Sequence, residues 1–173
     1  LFPYTTLFRS DGAQIFSLTS VGDAVYAGLY RHGLVRWSST ESRWEGVGTV
    51  KPLVMASVGD RLVIGHNPGG LHWTSDAGIH WRSGELRGPW ASPGIGSVSF
   101  DESDRFREVP IWEMGSGGGV LLAGAAGSVV QSLDGGRTWA VVGGGLPQSG
   151  AGISFWIRDD LMLVAVSTPA GSP

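Results

Sequence analysis

Residues 132–139 read Ser132-Leu133-Asp134-Gly135-Gly136-Arg137-Thr138-Trp139, and residues 74–81 read Thr74-Ser75-Asp76-Ala77-Gly78-Ile79-His80-Trp81. One pattern writes both: a hydroxyl residue, Asp two positions on, Gly four on, Trp seven on. Each component suits a tight turn between two strands. A short acidic side chain accepts backbone N–H bonds within such a turn. Glycine supplies the positive φ that a hairpin needs. The Ser or Thr hydroxyl is placed to tie the two strands together, and the Trp to cover the turn and pack into the sheet. A turn accounts for the whole pattern, so Asp76 and Asp134 are read as structural rather than catalytic carboxylates.

The same order of elements surrounds both turns. Each unit opens with a strand, at Ile15 to Leu18, Leu53 to Ala56, Ile111 to Met114 and Ile153 to Ile157. A turn follows (Val21-Gly22-Asp23, Val58-Gly59-Asp60, Gly117-Gly118-Gly119, Arg158-Asp159-Asp160), then a short apolar strand. That second strand closes on Gly28, Gly65 and Gly124, where neighbouring units are expected to crowd too closely for a side chain. A third strand runs into the hairpin and its tryptophan, Trp44, Trp81 or Trp139. The opening strands are spaced about 38, 58 and 42 residues apart. Four short strands per unit at such spacing predict an all-β partial β-propeller of four-stranded blades, about three and a half of them. A single blade cannot bury both of its faces, so it must stack on neighbours. The expected units lie near 11–48, 49–86, 107–147 and 150–173, with a long inter-blade loop over 87–106.

The paired eight-residue motif resembles the Asp-box, or BNR repeat, of sialidases, related glycoside hydrolases, sortilin-type receptors and photosystem assembly factors. The structural box residues are then Thr74, Asp76, Gly78 and Trp81 in one unit and Ser132, Asp134, Gly136 and Trp139 in another. The first unit departs from the pattern. Its Ser38-Ser39-Thr40-Glu41-Ser42-Arg43-Trp44 is one residue short and keeps only the hydroxyl and the tryptophan. The resemblance implies boxes between the third and fourth strands, on the end opposite the ligand-binding end. It also implies an extracytoplasmic or secreted setting.

Composition narrows the function classes. Glycine is the outlier, at 29 of 173 residues without a collagen period, which implies many turns and few helices. With no cysteine, disulfides, thiolate nucleophiles and Cys-ligated zinc are excluded. A net charge of −3 gives no electrostatic reason to expect nucleic acid or an anionic membrane as partner. No run of 18 apolar residues is present. Residues 1–10, LFPYTTLFRS, back-translate to a string that resembles a widely used short-read sequencing adapter. Residues 1–10 are therefore read as an adapter-derived artefact, and the chain is expected to be a fragment whose natural sequence starts near Asp11.

Loops between the second and third strands share one end of the blades with the inter-blade connections, and the resemblance places ligands there. The ligand-binding candidates are Tyr30, Arg31 and His32 from the first such loop, His66 and Asn67 from the second, and Trp90 and Arg105 from the long connection. His66, His72 and His80 fall in one blade, but with no metal-binding spacing; no metal or cofactor is expected. A sialidase needs an arginine triad, an acid Asp and a Tyr–Glu pair. Neither Tyr26 nor Tyr30 has a credible Glu partner, and Phe106-Arg107-Glu108-Val109-Pro110 matches the family's F-R-I-P motif neither in length nor in place. Asp101, Glu102 and Asp104 lie in one loop, which is poor support for two carboxylates held across a sugar. No catalytic residue is assigned. The expected function is a fragment of a non-enzymatic β-propeller binding or scaffold protein, with protein or glycan as the expected partner and further blades of its own chain completing it. The alternative is part of a sialidase-like glycoside hydrolase whose catalytic residues lie elsewhere.

Overall fold

The computed structural model describes residues 14–30, 32–48, 50–66, 70–87, 111–125, 128–142, 152–158 and 161–167. Among them there is no helix. Strands β1 (Ile15–Val21), β2 (Ala24–Leu29), β3 (Gly33–Ser38) and β4 (Arg43–Gly46) form one antiparallel sheet in sequence order. A second sheet repeats that order in β5 (Val54–Val58), β6 (Arg61–Gly65), β7 (Leu71–Thr74) and β8 (Arg82–Ser83). After β9 (Glu85–Arg87), a third is built from β10 (Ile111–Gly117), β11 (Val120–Ala125), β12 (Ser128–Ser132) and β13 (Thr138–Val142). The last two strands, β14 (Gly152–Arg158) and β15 (Leu161–Ser167), form a hairpin. Sequential up-and-down pairing of this kind is the blade of a β-propeller. The chain is all-β, and its sheets do not close into a ring among the described residues.

Local chemistry explains the hairpins. The first turns carry Gly22 and Gly59 at φ of 55° and 57°, and the third uses Gly118 and Gly119 at 56° and 81°. Opening strands β1, β5, β10 and β14 pack against one another in succession and carry the stacking of blades. Ser17 on β1 accepts a hydrogen bond from the Met55 N–H at 2.9 Å, joining the first two blades directly.

Two apolar seams join the first three sheets. Tyr26 and Leu34 of the first sheet meet Met55, Leu62 and Ile64 of the second. The opposite face of the second sheet gives Ala56, Val63, Leu71 and Trp73 to a seam with Ile111, Leu121, Ala123, Val130 and Trp139 of the third. Strand alternation sorts these side chains: Leu62 and Ile64 point one way, Val63 the other. Burying such residues is the main favourable contribution to folding, at about 1.5–3 kcal/mol for each large side chain.

Two of the glycines closing the second strands, Gly28 and Gly65, sit at close contacts between blades, as the repeat predicts. A Cβ on Gly28 would lie 2.9 Å from Pro52 Cγ, and one on Gly65 2.6 Å from Ile111 Cβ. At the last seam, Gly115 and Gly117 give the same room to Phe155 and Ile157 of β14. The other face of the final hairpin pairs Trp156 with Leu163 and Arg158 with Leu161, and Trp156, Leu161 and Leu163 are all exposed.

One segment does not follow the expected unit boundary at 86. The Gly84 N–H still bonds Leu71 O of the second sheet at 2.9 Å, but the Glu85 N–H bonds Arg137 O of the third at 2.8 Å. Strand β9 then runs parallel to β13, Glu85 to Arg87 facing Thr138 to Ala140. The third sheet is thereby five-stranded, its outer edge covered by chain leaving the second blade. Such an exchange is invisible to a repeat-based reading, because Glu85-Leu86-Arg87 has no counterpart in the other units.

Gly65→Val should lower unfolding free energy by about 1–3 kcal/mol, because Ile111 meets the new side chain at its own Cβ and must move with its strand. Urea denaturation monitored by tryptophan fluorescence measures the loss.

Candidate functional site

The two box turns lie where expected, between β7 and β8 and between β12 and β13. In the second, Asp134 Oδ1 accepts the Ser132 hydroxyl at 2.9 Å and the N–H groups of Arg137 and Thr138 at 3.1 and 2.9 Å. Its Oδ2 accepts the Thr138 hydroxyl at 2.6 Å. Ser132 Oγ in turn accepts the Gly136 N–H at 2.9 Å. Thr74 and Asp76 repeat this: the hydroxyl donates to Oδ1 at 2.7 Å and accepts the Gly78 N–H at 3.1 Å, and Oδ1 takes the His80 N–H at 2.9 Å. The His80 ring adds Nδ1 to Oδ2 at 2.7 Å. The hydroxyl therefore does not bridge two strands, as the motif alone leads one to expect. It folds back to organise the turn, since the turn's own N–H groups are nearer.

Glycine at the fifth box position takes φ of 93° in Gly78 and 86° in Gly136. The preceding residue is also left-handed, at 74° in Gly135 and 60° in Ala77, a strain that the second blade carries in a non-glycine residue. Trp139 is fully buried and donates Nε1–H to Gly136 O at 3.0 Å. Trp81 precedes a strand of only two residues and is half-buried against the first seam, its Nε1 without an acceptor among the described residues. The first-unit turn is of another kind. Ser38 Oγ accepts the Glu41 N–H at 3.3 Å, Ser42 takes the positive φ, and Trp44 meets Trp37 edge-on.

Partial burial pushes the Asp134 carboxyl up. The hydrogen bonds from Thr138, Ser132 and Arg137 outweigh it and hold the group below the usual carboxylate range. Asp76 is held well below that range too, first by the His80 N–H, then by the Thr74 hydroxyl and the His80 ring. These ionised groups are fully engaged in their own turns, which is the geometry of structural residues.

A cleft lies at the opposite end. Phe16 at the start of β1, Leu29 and Tyr30 at the end of β2, Lys51-Pro52-Leu53 leading into β5, and Trp112 at the start of β10 enclose about 550 Å³. Three successive blades thus contribute to one space. Phe16, Tyr30 and Trp112 are 44%, 51% and 59% exposed, whereas the seam aromatics Tyr26 and Trp139 are sealed at 2% and 1%. Tyr30 is positioned by its N–H on Gln14 O at 2.9 Å, and its ring meets Phe16 edge-to-face with centroids 5.3 Å apart. Among the described residues, Lys51 is the one charged residue of the lining, and no carboxylate joins it.

Of the sequence candidates, Tyr30 lines this cleft. His32 is exposed in the same turn but outside the lining. His66 follows β6 and stacks on His72 with centroids 4.8 Å apart; burial, then the neighbouring His72, lowers its pKa. His80 lies in the box turn, away from that pair, and no group of three metal-ligating residues occurs among the described residues. Arg31, Asn67, Trp90 and Arg105, with the connection over 88–106, lie outside the described residues. Sequence reasoning missed Phe16, Lys51 and Trp112. Phe16 and Trp112 each follow an Ile that opens a strand, a correspondence that could have singled them out as equivalent positions in two blades. On β10, burial raises the pKa of Glu113, opposed by a hydrogen bond with Ser154.

No protein-family model and no curated protein sequence matches the chain. Solved β-propellers do match in fold. The computationally designed Ika4 protein superposes with a TM-score of 0.58 at 12% identity, over 91% of this chain and 88% of that one. The designed Ika8 protein gives 0.55 at 11% identity, over 91% of this chain and 44% of its own. YCF48 from Cyanidioschyzon merolae gives 0.57 at 14% identity, over 86% and 48%. The chain therefore spans just under half the length of Ika8 and of YCF48. At these identities the likeness establishes the β-propeller architecture and nothing finer.

Asp134→Ala should cost about 1–3 kcal/mol in chemical denaturation, since several turn donors lose their acceptor. Asp134→Asn isolates the charge. A carboxyl with a folded-state pKa below the unfolded value of about 4 contributes stability that is fully present above that value and is lost as pH falls through the folded pKa. The parent should therefore lose stability more steeply than Asp134→Asn on acidification below about pH 4, read as denaturation midpoints across a pH series.

Proposed function

We propose that this chain is part of a non-enzymatic β-propeller that binds protein or glycan over the aromatic cleft at the end opposite the boxes. The observation that carries this reading is the exposure of Phe16, Tyr30 and Trp112 around one cleft, whereas Tyr26, Trp73 and Trp139 are sealed in the seams. Half-exposed rings on rigid strands offer stacking area at low entropic cost. Lys51 adds a positive charge to the lining, which favours an acidic group on the ligand. Further blades of a ring belong to the same proposal, covering the exposed Trp156, Leu161 and Leu163 of the last hairpin. An extracytoplasmic setting follows only from the resemblance of the boxes.

A sialidase-like hydrolase is the second reading, and Glu113 is the observation that favours it. Burial raises its pKa, the direction a general acid needs, although Glu113 is not among the residues that line the cleft. Glycoside hydrolysis ordinarily needs a second carboxylate across the sugar, and none lines the cleft among the described residues.

Glycan and peptide arrays, followed by titration of the best ligand, test the first reading. Trp112→Ala should weaken that ligand by at least about tenfold while leaving the denaturation midpoint unchanged, because the ring is mostly exposed. Undiminished affinity would remove the cleft from the function. Turnover on a glycosidase panel, abolished by Glu113→Gln, would establish the hydrolase instead.

A further inference from the structure

Three arginines converge on one tryptophan at the box end of the seam between the second and third blades. Their Cζ atoms lie 4.8 Å (Arg61), 5.3 Å (Arg82) and 5.6 Å (Arg137) from the Trp73 ring centroid. The topology dictates the meeting. Arg82 pairs with Trp73 across β7 and β8 and shares its face. Arg61 begins β6 two residues before Val63, the pairing partner of Trp73, so it lies on that face too. Arg137 arrives from the neighbouring blade, on the box turn that packs against Trp73 through Gly136.

Only Arg61 has a structural task. Its Nη1 donates to Asp134 O at 2.6 Å and Gly135 O at 3.3 Å, clamping the third-blade box to the second blade. Its Nε is buried and has no acceptor among the described residues. Arg82 and Arg137 are exposed, and their guanidinium groups make neither a hydrogen bond nor an ion pair among the described residues. Of the carboxylates nearby in the chain or the sheet, Asp134 is turned inward onto Ser132, Arg137 N–H and Thr138, and Asp60 and Glu85 form no ion pair with the three arginines among the described residues. A tryptophan face attracts each guanidinium, but it supplies no counter-charge to three of them.

We propose that Arg61, Arg82 and Arg137 form a binding site for a phosphate group, free or as a monoester, with Trp73 as its floor. Guanidinium forks match a tetrahedral oxyanion, which offers several acceptor oxygens and up to two negative charges. A carboxylate offers two oxygens and one charge, and would leave more of the cluster uncompensated. The site lies at the end opposite the aromatic cleft and is independent of what the cleft binds.

Isothermal titration with inorganic phosphate and with O-phosphoserine tests the site, at constant ionic strength set with chloride and with acetate as the carboxylate control. Saturable phosphate binding is expected, weakened at least tenfold in the double variant Arg82→Gln/Arg137→Gln and unchanged in Trp112→Ala. Both arginines are exposed, so the double variant should keep the parent's denaturation midpoint in chloride, which the same samples report. Tighter binding of O-phosphoserine assigns the site to a monoester, and tighter binding of inorganic phosphate to the free ion. Absence of saturable binding, equal affinity in the double variant, or acetate binding as well as phosphate would each overturn the proposal.

Discussion

The Asp134 carboxylate accepts four hydrogen bonds and organises the turn on which the seam between the second and third blades depends. It gathers the Ser132 hydroxyl, two backbone N–H groups and the Thr138 hydroxyl into one turn. With those donors satisfied, the turn presents its own carbonyls outward, at Asp134 and Gly135, where Arg61 of the preceding blade takes them. The turn is thus a docking piece as well as a hairpin. Gly136 rests against Val63 and Trp73, and Trp139 passes beneath Gly84, where a Cβ would lie 2.6 Å from its Nε1. The equivalent box of the second blade seats Gly78 against Val47 of the first. Each box closes a seam with the blade before it. An aspartate that looked purely local in sequence is coupled to inter-blade packing.

Close approach at the seams has a second effect at the other end of the blades. Because Gly28 admits Pro52 and Gly65 admits Ile111, the beginnings of β1, β5 and β10 come side by side. That brings Phe16, Pro52 and Trp112 to the rim of one cleft. A bulge in the β1–β2 register between Ile15 and Ser17, and another in β10–β11 between Ile111 and Glu113, fall on Phe16 and Trp112 themselves. Extra residues of this kind re-aim side chains at strand ends. The same irregularity at the same place in two blades is what turns two aromatic rings toward solvent instead of into a seam.

The two ends therefore differ in chemistry. One carries turn carboxylates satisfied internally and three arginine side chains gathered around Trp73. The other carries, among the described residues of its cleft, aromatic rings and one lysine. A stacked set of rigid blades can present both at once, because neither surface is needed for the seams that hold the fold.

Much of the fold was legible in the chain. The hydroxyl–Asp–Gly–Trp spacing marks the turns because each residue type answers a local need, whether acceptor, positive φ or cover. The strand–turn–strand order marks the blades because alternation and glycine punctuation are also local properties. Of the candidate site, Tyr30 was legible as a loop aromatic. Phe16 and Trp112 were not, since a bulky residue in a strand reads as core until its register is known. The exchange of Glu85–Arg87 onto β13 and the arginine cluster at Trp73 were equally hidden. Residues 61, 73, 82 and 137 meet only because separate strands and separate blades are stacked. The sequence by itself determined the turns, the blades and their order, through interactions spanning a few residues. Tertiary structure alone decided which exposed side chains share a surface, because contacts between blades depend on register and stacking that no short stretch of chain encodes.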